Sequence, residues 1–153
     1  MDASVEHKIA PRPSWLATLR IYLTFVVLAN LLWEVLQLPL YAIWRNGTVR
    51  DLIVAVAHCT VGDILIALAT LMLALLLVGN AEWPEERYVR VAFVSVALGV
   101  GYTVFSEWLN LVARKSWAYS ELMPVVPVLG VGLSPLMQWI AIPIVGLRLA
   151  IRM

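Results

Sequence analysis

Apolar residues gather into four long runs, roughly 21–44, 52–79, 91–113 and 125–150, joined by short polar connections. Each run is long enough for the ~20 residues that a helix needs to cross a hydrocarbon core. The pattern predicts an all-α fold: an integral membrane four-helix bundle, one transmembrane domain over residues 1–153, with a polar N-terminal tail over 1–14. The fourth run is the irregular one, because Pro124, Pro127, Gly130, Gly132, Pro135 and Pro143 interrupt it. Proline in a helix interior removes a hydrogen bond, so this helix is expected to be kinked or broken near Ser134-Pro135. A true break at membrane depth survives only where protein or water satisfies the freed backbone groups. An ordinary proline kink is the simpler alternative.

The polar positions inside the runs alter this picture most. Glu34, His58, Asp63 and Glu107 all fall within apolar segments. An acid at the centre of a membrane helix costs about 2.5–3.5 kcal/mol on insertion scales, so three carboxylates left facing lipid cost roughly 8–10 kcal/mol. Such groups are expected to face one another, or a wet cavity, across the bundle.

Helical spacing extends that polar face. Asn30, Glu34, Gln37 and Tyr41 recur at offsets of four, seven and eleven, one stripe of the first helix. Thr103, Glu107, Asn110 and Arg114 repeat the same offsets in the third run. The adjacent tryptophans, Trp33 and Trp108, swap order around their glutamates, and Trp44 and Trp117 follow each glutamate by ten residues. This weak internal repeat sets the two glutamates at similar depth, as in parallel repeats of transporters. His58 is expected at a comparable level, although Asp63 lies five residues further on, about 140° round the helix from it. Ser134 and Gln138, four apart in the fourth run, are placed to close the ring.

Composition and charge fix the class and exclude others. With 62% hydrophobic and 14% charged residues and a mean hydropathy of +0.87, the chain belongs among membrane proteins, whose partner is the lipid bilayer. A net charge of +1 without a basic stripe argues against a nucleic-acid partner. Cys59 is the single cysteine and forms no intramolecular disulfide. Lys8, Arg12, Arg20, Arg87, Arg90, Arg148 and Arg152 fall on the side of the termini, against Arg45, Arg50, Arg114 and Lys115 on the other. Seven against four favours cytoplasmic N- and C-termini. Trp15, Trp44, Trp83 and Trp117 mark run ends, as an interfacial aromatic belt does.

Three functions use such a polar ring. In the leading one, a membrane enzyme acts on a lipid or isoprenoid by isomerisation, cyclisation or hydration. Its catalytic residues are Glu34 and Glu107 as acid and base with His58 as proton partner; neighbouring carboxyls that share a proton supply one acid and one base. The pocket around them is lined by Asn30, Gln37, Tyr41, Asp63, Thr103, Asn110, Ser134, Gln138, Trp33 and Trp108, with Tyr102, Tyr119 and Trp139 near in sequence. In the second, the chain handles protons, ions or a metal, with Glu34, His58, Asp63 and Glu107 as weak ligand candidates; no Glu-x-x-His pair occurs, so no metal is assigned. In the third, these residues are interhelical glue in a non-catalytic small subunit of a larger membrane complex. The residues specify no cofactor, and homo-oligomer or larger complex both remain open. The paired motif aspartates of lipoprotein signal peptidases and the cysteine pairs of disulfide-forming membrane oxidoreductases are absent.

Overall fold

The structure, a computed structural model, describes residues 14–153, so His7, Lys8 and Arg12 of the N-terminal tail lie outside the described residues. Helix α1 spans Trp15–Gln37, and it begins before the apolar run because the Ser14 side chain caps it, accepting the Ala17 N–H at 3.3 Å. It stops short of Trp44. Pro39, which has no N–H to continue the ladder, sits in a 3₁₀ turn over Leu38–Leu40, and a single helical turn, α2 (Ile43–Asn46), follows. Helix α3 (Val49–Val78) starts at a reciprocal box in which the Thr48 hydroxyl accepts the Asp51 N–H and the Asp51 carboxylate accepts the Thr48 N–H. Helix α4 (Tyr88–Trp108) runs on into a π-helical turn over Leu109–Ala113.

The fourth apolar run divides in two. Its first part is a short antiparallel hairpin, strands β1 (Val125–Val126) and β2 (Val131–Gly132), with Gly130 at φ +67° in the turn. The helix α5 (Leu133–Ala150) begins only at Leu133, rather than near Val125, because Pro127 and the left-handed Gly130 close the hairpin first. The interruption expected near Ser134-Pro135 is thus the start of α5. Pro135 lies in the first turn, where a missing N–H costs nothing, and Pro143 lies inside the helix.

The four long helices form a ring in the order α1, α3, α4, α5, with α5 closing against α1 and with α1 and α4 on the diagonal. Tyr22, Val26, Leu71, Val91, Trp139 and Leu147 fill its centre. Two glycines set how closely α5 approaches. A Cβ at Gly99 would stand 2.5 Å from the Trp139 ring, and one at Gly146 would stand 2.8 Å from the Phe25 ring, so each absence makes room for an aromatic. The outward faces are apolar, with Leu28, Leu36, Leu76 and Phe93 exposed. Four stretches, Trp15–Leu40, Val49–Val78, Tyr88–Ala113 and Leu133–Ala150, are long and apolar enough to cross a membrane. The chain is a small integral membrane protein.

At one end the connections between helices knit together. Ala42 N–H donates to the Ala118 carbonyl and Ser120 N–H to the Leu40 carbonyl, both at 2.9 Å, pairing Tyr41 with Tyr119 as a β-bridge. The Ser120 hydroxyl also donates to the Pro39 carbonyl at 2.9 Å. This roof covers the end of the bundle where α1 stops and α5 starts.

Candidate functional site

The buried face of α1 carries Thr18, Tyr22, Val26, Asn30, Glu34 and Gln37, and that of α4 carries Val91, Ser95, Gly99, Thr103 and Glu107. Steps of about four residues hold each set on one stripe. Directly under the roof, the acids of α1 and α3 converge around one residue of α5, and Glu107 of α4 lies beside them. The Gln138 amide, 2% exposed, has its Nε2 2.9 Å from Asp63 Oδ2, 2.8 Å from Asn30 Oδ1 and 3.1 Å from Glu34 Oε1. Its NH₂ group has two hydrogens for three acceptors, so the contacts are shared rather than independent.

A second arm leaves Glu34 along α1. Gln37 Nε2 donates to Glu34 Oε1 at 2.7 Å, Gln37 Oε1 accepts from the Ser134 hydroxyl at 2.8 Å, and Ser134 accepts the Trp33 indole N–H at 3.1 Å. The carboxyl of Asp63 and the thiol of Cys59 both lie within electrostatic reach of Glu34. On the far side of the ring, Glu107 accepts the Tyr119 hydroxyl, which in turn accepts the Gly132 N–H at 2.7 Å. The edge of the Tyr41 ring packs on Tyr119, their centroids 5.6 Å apart. The Trp117 indole N–H, buried and without a hydrogen-bond partner, is within electrostatic reach of the same carboxyl.

Burial, reinforced by the Glu107 contact, pushes the Tyr119 hydroxyl well above the ordinary tyrosine range, against the opposing pull of the Gly132 N–H. Tyr119 is therefore a neutral donor at physiological pH. Glu107 also feels the field of Glu34, so the three acids form one electrostatic group. Among the described residues no Lys, Arg or His neutralises it, and no group of three His, Cys, Asp or Glu is arranged to hold a metal ion. Beside the network, toward the bundle centre, runs a gap of about 160 Å³ lined by Val26, Asn30, Ala67, Gln138, Trp139, Ile142 and Pro143, too narrow for a water molecule.

No family model, curated protein or solved structure matches the chain. The geometry alone therefore carries the functional argument.

The expected residues divide clearly. Glu34, Asp63, Asn30, Gln37, Ser134, Gln138 and Trp33 meet in one network, with Glu107 and Tyr41 beside it. Asp63 of α3 stands at its centre, whereas His58, expected as a catalytic proton partner, is exposed on the outer surface of that helix. The 140° between the two positions allows only one of them to face inward. Trp108 is likewise turned outward, 51% exposed, because Glu107 beside it takes the inward position. Thr103 and Asn110 lie on the inner stripe but spend their donors on their own helix, on the Gly99 and Ser106 carbonyls, each at 2.9 Å. Cys59 was legible in principle, four residues before Asp63 on one helix face. The link from Tyr119 to Glu107 was not, since a loop residue carries no periodicity.

Proposed function

We propose that Glu34, Asp63 and Glu107 form an intramembrane acid–base centre that acts on a lipid or isoprenoid substrate. The observation that carries this reading is the convergence of three buried carboxyls with no cation among the described residues to balance them. Neighbouring carboxyls in a low-dielectric interior do not all ionise, so they share protons, and each shared proton pairs an acid with a base. The Glu34–Asp63 pair, held by Gln138, keeps the shared proton and is the acid, and Glu107, whose carboxylate accepts the Tyr119 hydroxyl, is the base. The acid adds a proton to one carbon of a double bond, and the base removes a proton from the carbon next to the cation. The net change is isomerisation or cyclisation, and no further reactant is required.

Structural glue explains the cluster less well, because amides or hydroxyls serve that purpose without the cost of carboxyls. The aromatic roof of Tyr41 and Tyr119 supports a substrate site, since aromatic faces stabilise a passing cation. In this reading the termini are cytoplasmic, by the bias of Lys and Arg, and the site lies in the outer half of the bilayer.

The test is to incubate the protein in detergent with a mixture of polyprenols and carotenes in D₂O, then examine the recovered lipids by mass spectrometry. Deuterium entering one lipid with wild type, and not with Glu34→Gln or Glu107→Gln variants of normal thermal stability, is the expected result. Equal deuterium content with and without protein in every fraction would overturn the reading.

A further inference from the structure

A second feature lies at the opposite end of the bundle and does not depend on the acid–base centre. An open groove of about 480 Å³ runs between α1 and α5, lined by Arg20, Thr24, Phe25, Leu28, Leu149 and Met153 among others. The order of its chemistry along α1 is cation, hydroxyl, then hydrocarbon. Arg20 is exposed five residues into the helix, about 7.5 Å from the start at Trp15. Thr24 follows one turn deeper on the same face, also exposed, and Leu28 lies about 12 Å below Arg20.

Arg20 has no hydrogen bond or ion pair among the described residues. A guanidinium near the membrane edge with no protein partner snorkels to the headgroup level, where its natural ligand is a phosphate. The exposed threonine hydroxyl comes next, at the level of an ester carbonyl. Below it, the Phe25 and Leu28 walls suit an alkyl chain and offer no polar group to anything else. Gly146 contributes by its size, since the missing Cβ is what lets the Phe25 ring lean toward α5 and shape the wall.

We infer that this groove is a selective site for an anionic glycerophospholipid, its phosphate on Arg20, its ester region at Thr24 and one acyl chain along Phe25 and Leu28. The matching sequence of phosphate, ester and chain is what favours a phospholipid over a free anion or a bare hydrocarbon. Basic pockets between membrane helices bind anionic headgroups by the same attraction.

The experiment is native mass spectrometry of the protein released from bilayers containing equal parts of phosphatidylglycerol and phosphatidylcholine with matched chains. Wild type should retain one phosphatidylglycerol. Arg20→Gln should lower that retention about fivefold and lower phosphatidylcholine retention less, since the choline ammonium already offsets its phosphate. Leu28→Trp, which fills the groove, should lower retention of both lipids, and Arg50→Gln, at the other end of the molecule, should change neither. Thermal unfolding of each variant shows that the fold persists; should Arg20→Gln fail to fold, Thr24→Val replaces it and should also reduce phosphatidylglycerol retention. Unchanged phosphatidylglycerol in Arg20→Gln, or an equal loss in Arg50→Gln, would reduce the groove to ordinary lipid contact. A dimer mass that disappears with Leu28→Trp would assign it to a second copy of the chain instead.

Discussion

Replacing Gln138 by methionine removes the donor on which the three-helix network converges and keeps nearly the same side-chain length and volume, so cavity formation contributes little. Gln138 is 2% exposed, and water cannot replace the lost bonds. Its amide has two hydrogens, placed among Asn30, Glu34 and Asp63 at 2.8, 3.1 and 2.9 Å. Polar contacts between membrane helices are worth about 0.6 kcal/mol on average and up to about 1.7, so two of them lost together cost about 1–3 kcal/mol. Unfolding by SDS titration from mild detergent, followed by tryptophan fluorescence, measures that difference, with Trp139 one residue away as a reporter. A double-mutant cycle with Asp63→Ala isolates the contact: the two changes should be non-additive by at least about 0.5 kcal/mol, as for residues in one hydrogen-bond network. A Gln138→Met protein as stable as wild type, with additive behaviour in the cycle, would refute the view that this amide holds the acids together.

Two further predictions follow from single positions. Gly99→Ala would bring a Cβ within 2.5 Å of Trp139, and should destabilise the bundle by about 1–3 kcal/mol in the same titration. Gly101→Ala, with nothing within 4 Å of its Cβ, should be neutral or stabilising; equal effects at the two sites would show that the Trp139 contact does not limit the approach of α5. Tyr119 keeps its proton more strongly when folded, so its contribution to stability is complete below the unfolded tyrosine pKa of about 10 and falls away as pH rises through its higher folded value. A stability profile from pH 8 to 11 should therefore decline more steeply for wild type than for Tyr119→Phe, and parallel profiles would contradict the placement of that hydroxyl.

The four helices were legible because each one presents a long apolar run, a signal that survives without any tertiary information. The inward stripe of α1 was legible too, since Asn30, Glu34 and Gln37 share one face by spacing alone. Spacing also held the contradiction between His58 and Asp63, but it could not say which of them turns inward. Packing decides that: the face carrying Asp63 also carries Thr60, Ala67, Thr70 and Ala74, small residues that let the neighbouring helices approach. The hairpin at Val125–Gly132 was hidden for the opposite reason. Its strands are two residues long, too short for alternation to show, and they are held by turn geometry at Gly130 and by the Tyr119 hydroxyl on Gly132. Loop-to-helix contacts of this kind leave no periodic trace in a sequence.

The network joins residues that the ribosome makes far apart in time. Gln138 lies 104 positions after Glu34 and 75 after Asp63. At about 5–20 residues per second the Glu34 carboxyl waits roughly 5–20 s for the amide that will hold it. During that interval α1 and α3, which pack against each other in the finished bundle, have only each other's polar groups and Gln37 to shelter their acids. The first helix pair must be able to enter the membrane as a provisional unit, its polar groups turned toward one another, before α5 arrives to lock them.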